Sequence, residues 1–136
     1  MTVTPEIELA VSAALDRKAR QIVVLDLRGI SNITDYFLIC HGTSSRQVQA
    51  IADAIAERLS GSPHREARIE GYRQGEWVLM DFIDFVVHIF TGEKRSFFNL
   101  ERLWGDAPRK PYEDDFNDRS PTASLSRRTA SARRDE

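Results

Sequence analysis

The sequence predicts an α/β fold, a single domain in which helices pack on a mixed sheet of five strands. One observation is the order of the elements, helix-strand-strand-helix-strand-strand-strand-helix. Too few helices lie between the strands to connect every pair in parallel, so some neighbours must be antiparallel. The other observation is the segment 75–106, which holds both tryptophans and five of the seven phenylalanines. We expect this segment to organise the core.

The N-terminal part predicts one helix and two strands. Residues 4–20 start with a hydroxyl N-cap, Thr4, followed by proline at the first helical position, and their apolar residues recur at helical spacing. The β-branched run 22–28 is typical of a largely buried strand. A second strand is predicted over 35–41.

A second helix follows, with the strongest helix signal in the chain. Ser44 and Gln47 fit a capping box, an apolar stripe runs from Val48 to Leu59, and Gly61 should end the helix. A weak third strand is predicted over 67–70, where alternating charges suit the edge of a sheet.

The aromatic segment predicts two further strands and a short helix. Residues 77–82 and 85–90 are β-branched and aromatic, with Asp84 near the turn between them. Residues 97–104 have a spacing closer to a helix than to a strand. We therefore expect residues 1–108 to form the domain, and the proline-rich, serine-rich and charged residues 109–136 to be a disordered polar tail.

Composition excludes several classes of protein. A formal net charge of −2 argues against binding nucleic acid through the overall field. The single cysteine, Cys40, cannot form an internal disulfide, which favours a reducing compartment. The sequence contains neither an apolar run of about 18 residues nor a secretory signal. We expect a cytoplasmic protein with no membrane association and no direct sequence-specific nucleic-acid binding.

The titratable residues show no recognisable catalytic or metal-binding pattern. The three histidines have no zinc-ligand spacing. Cys40 and His41 are neighbours on a predicted strand, so their side chains point to opposite faces and cannot act as nucleophile and base. His88, in the apolar run 85–90, is interpreted as a hydrogen-bonded packing residue. We expect no catalytic residue, no cofactor and no metal.

Two features could belong to a nucleotidyltransferase-type site. The turn 42–45 at a helix N-terminus could hold an anion, but it lacks the P-loop pattern, and a glycine turn with an N-cap is the simpler interpretation. Such an enzyme would hold magnesium with two acids alternating on one strand. Asp81 and Asp84 are three residues apart, which on a continuous strand puts them on opposite faces. The acid pair is therefore missing.

Two blocks of sequence resemble one protein family. DYFLICHGTSSRQVQAIAD and GEWVLMDFIDFVVHIFTGEKRSFFNLERLWGDAP are similar to the signature blocks of the ribosomal silencing factor family, also called Iojap-like proteins. The resemblance covers about residues 4–108, and its most specific part is NLERLWGDAP.

The resemblance implies both a fold and a function. It implies a nucleotidyltransferase-like fold without the catalytic acids, in agreement with the missing acid pair. It also implies binding to the large ribosomal subunit through ribosomal protein fourteen, where the factor blocks joining of the small subunit, chiefly under starvation or in stationary phase. A role in large-subunit maturation and a homodimer in the free protein are further implications.

The chain departs from the family pattern at one turn. Ile83 stands where the family usually has glycine, and a positive φ at that position would strain an isoleucine and reshape the hairpin. Phe82 replaces a common tyrosine and so loses a hydroxyl.

The leading hypothesis is therefore a non-enzymatic translation repressor that binds the ribosome. Phe97 and Phe98 are about 100° apart on a helix and cannot both face the core, so one of them is available for another contact. The expected partner-binding residues are Trp77, Asp81, Asp84, Arg95, Phe98, Asn99, Glu101 and Trp104. The alternatives are a nucleotide-binding or nucleotidyltransferase-type enzyme that uses the turn 42–45, and a dimeric scaffold whose tail recruits other proteins.

Overall fold

The computed structural model describes residues 2–61 and 67–112. The elements in chain order are α1 (Pro5–Asp16), β1 (Arg20–Asp26), β2 (Tyr36–Gly42), α2 (Ser45–Arg58), β3 (Arg68–Glu70), β4 (Trp77–Asp81), β5 (Phe85–Thr91), α3 (Gly92–Phe98), α4 (Leu100–Leu103) and β6 (Arg109–Tyr112). Every predicted helix and strand has a counterpart, with ends shifted by a few residues.

The strands form one mixed sheet in the order β3-β4-β5-β2-β1-β6. The central neighbours β2 and β5 are parallel, and all other neighbours are antiparallel. The predicted mixed α/β architecture is therefore confirmed. The predicted number of five strands is wrong, because the described part of the chain contains a sixth.

The sixth strand, β6, lies in a stretch that the sequence assigned to the polar tail. It pairs with β1 and places Tyr112 opposite Ile22. Tyr112 is half-buried against the core, and its hydroxyl donates to Glu8 Oε2 at 3.3 Å. Strand β6 therefore extends the sheet past the predicted domain boundary at residue 108, because an edge strand can be held by pairing and by a few side-chain contacts. The disorder predicted from residue 113 onward lies outside the described residues.

Both edges of the sheet carry features that discourage pairing with another chain. Strand β3 is short and all three of its residues are exposed, as its charges predicted, and Arg68 lies 3.6 Å from Glu70. At the other edge, Asp26 N–H donates to the Pro108 carbonyl at 2.8 Å. In this register the N–H of residue 111 would point away from β1. Pro111 has no N–H, so the outer edge lacks a donor at that point.

Helix α1 begins as the sequence predicts and ends earlier. Thr4 Oγ1 accepts a hydrogen bond from Ile7 N–H at 3.3 Å, and Pro5 occupies the first turn. The helix stops at Asp16 because Lys18 adopts a left-handed backbone with φ 63° and Arg20 already belongs to β1. The predicted extension of this helix to residue 20 is therefore wrong.

Helix α2 is capped by Ser44, whose Oγ accepts a hydrogen bond from Gln47 N–H at 3.1 Å. The reciprocal half of the predicted capping box differs. Gln47 Oε1 accepts from Thr43 N–H at 2.7 Å, and Gln47 Nε2 donates to the carbonyls of Arg17 and Lys18 at 3.0 Å. This one side chain therefore ties the start of α2 to the turn between α1 and β1.

Helices α1 and α2 together cover one face of the sheet and form the larger hydrophobic core with it. This cluster includes Ile7, Ala14, Val48, Ile51, Ile55, Val78, Met80, Val87 and the buried Cys40.

The other face of the sheet is covered only in part. A smaller cluster contains Leu25, Ile39 and Phe90, with Leu100 and Trp104 packed against it. The single helix predicted over 97–104 is two short helices, because Asn99 adopts φ 46° and ends α3. The short helices leave part of this face accessible, and the candidate site lies there.

Candidate protein interface on the half-covered sheet face

Strand β4 shows which side of the sheet is available to a partner. Val78 and Met80 are buried in the larger core, whereas Trp77, Leu79 and Asp81 are half-exposed on the opposite face. Alternate residues of a strand share a face, so these three side chains form one row. We call the partly covered surface around this row the open face, formed by Phe37, Trp77, Leu79, Asp81, Phe98 and Trp104.

Trp77 is the centre of the aromatic packing on the open face. Its ring centroid lies 5.1 Å from that of Phe90 in a stacked arrangement and 4.5 Å from that of Phe98. Its indole Nε1 donates to His88 Nδ1 at 3.1 Å. Several neighbours therefore hold the indole in one orientation, which makes it a preorganised anchor of the kind common at protein interfaces.

His88 lies under this cluster and is 4% exposed. Burial lowers the pKa of His88 to about 4, so the ring is neutral near pH 7. Because Nδ1 accepts from Trp77, the proton of the neutral ring is on Nε2, which has no hydrogen-bond partner among the described residues. The ring of Phe37 packs edge-on against the imidazole at 4.4 Å. The predicted packing role of His88 is confirmed.

The aromatic contacts continue from β2 to α4. The rings of Phe37 and Trp104 meet edge to face, with centroids 6.0 Å apart. Phe98 is 40% exposed and reaches Trp77, whereas Phe97 is 76% exposed and contacts Phe98 at 5.0 Å. The structure therefore separates the two adjacent phenylalanines, and Phe97 is the one that faces solvent.

Arg95 does not lie on the accessible surface, contrary to its prediction as a partner-binding residue. It is 7% exposed, and its guanidinium donates to both carboxylate oxygens of Glu101, at 2.8 and 3.3 Å. The same group contacts His41 Nδ1 at 2.9 Å and the Arg20 carbonyl at 3.3 Å. Arg95 thus fastens α3 and α4 to the ends of β1 and β2.

The buried guanidinium of Arg95 also affects the side chains of Glu101 and His41. Glu101, another predicted partner residue, directs its carboxylate inward to Arg95 and keeps 25% of its side chain exposed. Burial, and then the charge of Arg95, lowers the pKa of His41. These contacts give Arg95, Glu101 and His41 a structural role within the fold.

The remaining predicted residues lie at the surface. Asn99 is exposed in the link between α3 and α4, and Asp84 is exposed in the turn between β4 and β5. Trp77, Asp81, Phe98 and Trp104 come together on the open face. The sequence reasoning missed Phe37 and Leu79. The i, i+2 spacing of Leu79 with Trp77 and Asp81 could have identified it, whereas Phe37 joins this face only through strand order.

The turn between β4 and β5 has the positive φ that was expected to strain an isoleucine. Ile83 adopts φ 75°, and Asp84 N–H donates to the Phe82 carbonyl at 2.9 Å, which closes a three-residue turn. Asp81 Oδ1 accepts from Ile83 N–H at 2.8 Å. Asp81 and Asp84 therefore serve a tight turn and do not form a pair on one strand.

A cleft of about 570 Å³ lies beside the turn 42–45, the candidate anion site. Glu76 and Glu93 line it together with Lys94, so carboxylates would face an anion. Two N–H groups at the start of α2 are already used, since Thr43 N–H donates to Gln47 and Gln47 N–H donates to Ser44. The geometry does not favour phosphate binding.

Residues 2–61 and 67–112 contain neither a metal-binding cluster nor a membrane-spanning helix. No group of three or more His, Cys, Asp or Glu side chains is placed to hold a metal ion. No described helix has the length and apolarity required to span a membrane.

The sequence is similar to one family model and to bacterial proteins of the same name. Residues 2–136 match the family model described as "Ribosomal silencing factor during starvation". The chain is 51% identical over 102 residues to ribosomal silencing factor RsfS of Halalkalibacterium halodurans, covering 75% of this chain and 87% of that protein. It is 47% identical over 102 residues to the Bacillus subtilis protein of the same name, covering 75% and 86%.

More distant relatives include a mitochondrial protein and a solved structure. The mouse protein "Mitochondrial assembly of ribosomal large subunit protein 1" is 31% identical over 102 residues, covering 73% of this chain and 45% of that protein. A crystal structure of a Chromobacterium violaceum protein superposes with a TM-score of 0.72 at 32% identity, covering 77% of this chain and 88% of that chain.

Proposed function

Because the chain belongs to the ribosomal silencing factor family, we propose that it represses translation by binding the large ribosomal subunit through ribosomal protein fourteen. Family membership makes it a ribosome-associated regulator of translation. The proposal adds that the bound factor sterically blocks the small subunit from joining, mainly under starvation or in stationary phase. It acts as a binding protein and not as an enzyme, in the cytoplasm where ribosomes work.

The observation that carries this proposal is the composition of the open face. Aromatic side chains held in fixed orientations lie at its centre, with Asp81 at the end of the row and Asp84 in the following turn. Aromatic anchors surrounded by polar groups are typical of protein interfaces. The carboxylates of the rim would complement a basic ribosomal protein.

Co-sedimentation with isolated large subunits tests the binding step. The chain should pellet with large subunits, and Leu79→Lys should weaken binding at least tenfold because it places a charge in the centre of the open face. Ile69→Lys is the matched control, because Ile69 lies on the neighbouring strand opposite Met80 and so faces away from Leu79. Equal weakening by both variants would contradict the use of this face.

Light scattering on mixing the two subunits tests the blocking step. Saturating amounts of the chain should prevent the rise in scattering that accompanies subunit joining, and Leu79→Lys should restore it. Unchanged joining at full occupancy of the large subunit would show that the factor binds without blocking.

We further propose that the free protein is a homodimer that uses the aromatic part of the open face, and that the fold is a nucleotidyltransferase-like one without the catalytic acids. The parallel pair of β2 and β5 with a helix after each strand supports this description of the fold. A role in large-subunit maturation agrees with the name of the mouse relative.

A further inference from the structure

The turn between β4 and β5 holds an isoleucine in a backbone conformation that isoleucine rarely adopts. Ile83 has φ 75°, in the left-handed region where a β-branched residue is strained. Its side chain is 77% exposed, so packing within the chain does little to offset this strain. Strain that persists at an exposed residue points to a role outside the fold.

Hydrogen bonds from two neighbouring segments fix this turn. The N–H of Ile83 donates to Asp81 Oδ1 at 2.8 Å, and its carbonyl accepts from Thr34 Oγ1 at 3.1 Å. Asp35 N–H donates to the Asp84 carbonyl at 3.0 Å. Both polar backbone groups of Ile83 are therefore satisfied, and the side chain projects from a rigid support.

A second exposed isoleucine lies in the loop that is hydrogen-bonded to this turn. Ile33 is 87% exposed in the loop before β2, one residue from the Thr34 hydroxyl that binds the Ile83 carbonyl. Its own N–H donates to Ser31 Oγ at 3.1 Å. Among the large apolar side chains that the structure describes, Ile33 and Ile83 are the two most exposed. We call this pair the isoleucine tip.

The isoleucine tip continues the open face. Asp81 ends the row that begins at Trp77, and its carboxylate holds the Ile83 N–H. The nearby loops carry the acids Asp35 and Asp84. A partner that covers the open face would therefore lie close to the turn that carries Ile83.

We propose that the isoleucine tip is a second anchor for the protein that binds the open face, and that it fills an apolar depression with a basic rim on that partner. This inference rests on the proposed function, in which the partner is a protein of the large ribosomal subunit. The acids around the tip favour a basic rim. A second copy of the chain fits less well, because a symmetric contact through the tip would bring acids against their own copies. A rigid anchor also loses little conformational entropy on binding.

Ile83→Gly separates this role from a role in the fold. Glycine accepts φ 75° without strain, so the melting temperature should stay the same or rise. The variant should nevertheless bind isolated large subunits about tenfold or more weakly, since it loses the burial of one large apolar side chain. Ile33→Ser should weaken binding in the same direction.

Two further variants serve as controls. Ile83→Asn places a polar residue that tolerates positive φ, so it tests whether the apolar side chain or the flexibility of glycine is responsible. It should bind as weakly as Ile83→Gly. Ile69→Ser changes an isoleucine that is 43% exposed on the other face of the sheet, and it should bind like the parent chain.

The outcomes distinguish this inference from the function on which it rests. If the parent chain does not co-sediment with large subunits, the proposed function fails and this inference fails with it. If the parent binds and the Ile83 and Ile33 variants bind equally well, the second anchor is overturned and the proposed function stands. Variants that change only self-association, measured by sedimentation velocity, would also overturn the anchor.

Discussion

At the scale of single residues, the buried His88 makes the stability of the fold depend on pH. Its ring must stay neutral to accept the hydrogen bond from Trp77 while buried, and burial lowers its pKa to about 4. In the unfolded chain the pKa returns to about 6.5. Between these two pH values the unfolded chain therefore binds more protons than the folded chain. The stabilisation that depends on neutral His88 is complete above pH 6.5 and is lost as the pH falls toward 4.

We expect His88 to account for a loss of about 2 kcal/mol in the free energy of unfolding between pH 7.5 and 5. His88→Phe keeps an aromatic ring and removes the titration, so its stability should depend less on pH, although Trp77 loses its acceptor. Urea unfolding of both proteins at the two pH values measures the difference. The same pH dependence in both proteins would assign the effect to other groups.

Arg95 is the second residue whose environment makes a definite prediction. Arg95→Met leaves the Glu101 carboxylate without its cation and should reduce the free energy of unfolding by about 2–4 kcal/mol. The pKa of His41 should rise, because the positive charge that helps to lower it is removed. Chemical denaturation and an NMR titration of His41 measure the two effects.

Arg102→Met is the control for Arg95→Met. Arg102 is exposed in the neighbouring short helix, and its replacement should change stability by less than about 0.5 kcal/mol. A His41 pKa that stays the same in Arg95→Met would contradict the close contact between the two side chains.

At the scale of secondary structure, β6 is a strand that forms in a polar stretch whose sequence does not predict one. The strand is held by pairing with β1, by the half-buried ring of Tyr112 and by two contacts with Glu8, from Lys110 Nζ at 3.7 Å and from the Tyr112 hydroxyl. The aromatic contact and the hydrogen bonds exist only in the folded chain.

Two truncations test the contribution of β6. A chain that ends at Tyr112 should keep the stability of the full chain, whereas a chain that ends at Pro108 should lose about 2 kcal/mol or more, because β1 becomes an unprotected edge and the core loses a cover. Thermal unfolding followed by circular dichroism compares them. Equal melting temperatures would show that β6 contributes little.

The first truncation also tests the place of the tail in binding. We expect the chain that ends at Tyr112 to bind large subunits like the full chain, which would confine binding to the domain. Loss of binding in a well-folded truncated chain would instead favour the hypothesis of a tail that recruits partners.

At the scale of the whole molecule, one side of the sheet is closed by α1 and α2, and the other is left partly accessible by the short α3 and α4. If the open face serves both the free dimer and the ribosome, the two uses must compete. Added ribosomal protein fourteen should convert dimers into one-to-one complexes, measured by analytical ultracentrifugation. Leu79→Lys should weaken both associations. If the Leu79→Lys variant still forms dimers, or if the chain stays dimeric when bound to the ribosomal protein, the dimer contact lies outside the open face.

The sequence by itself determined the family, both main helices, the mixed sheet and the strained position of Ile83, because these depend on local signals such as caps, periodicity and a distinctive motif. Only the tertiary structure decided which charged and aromatic residues face solvent. Arg95 was predicted to bind a partner but is buried, whereas Phe37 and Leu79 were not predicted and lie with Trp77 on the open face. Strand β6 also depended on its partner β1. The physical reason is that burial depends on which strands become neighbours and which helices cover them, and contacts between residues distant in sequence set that arrangement.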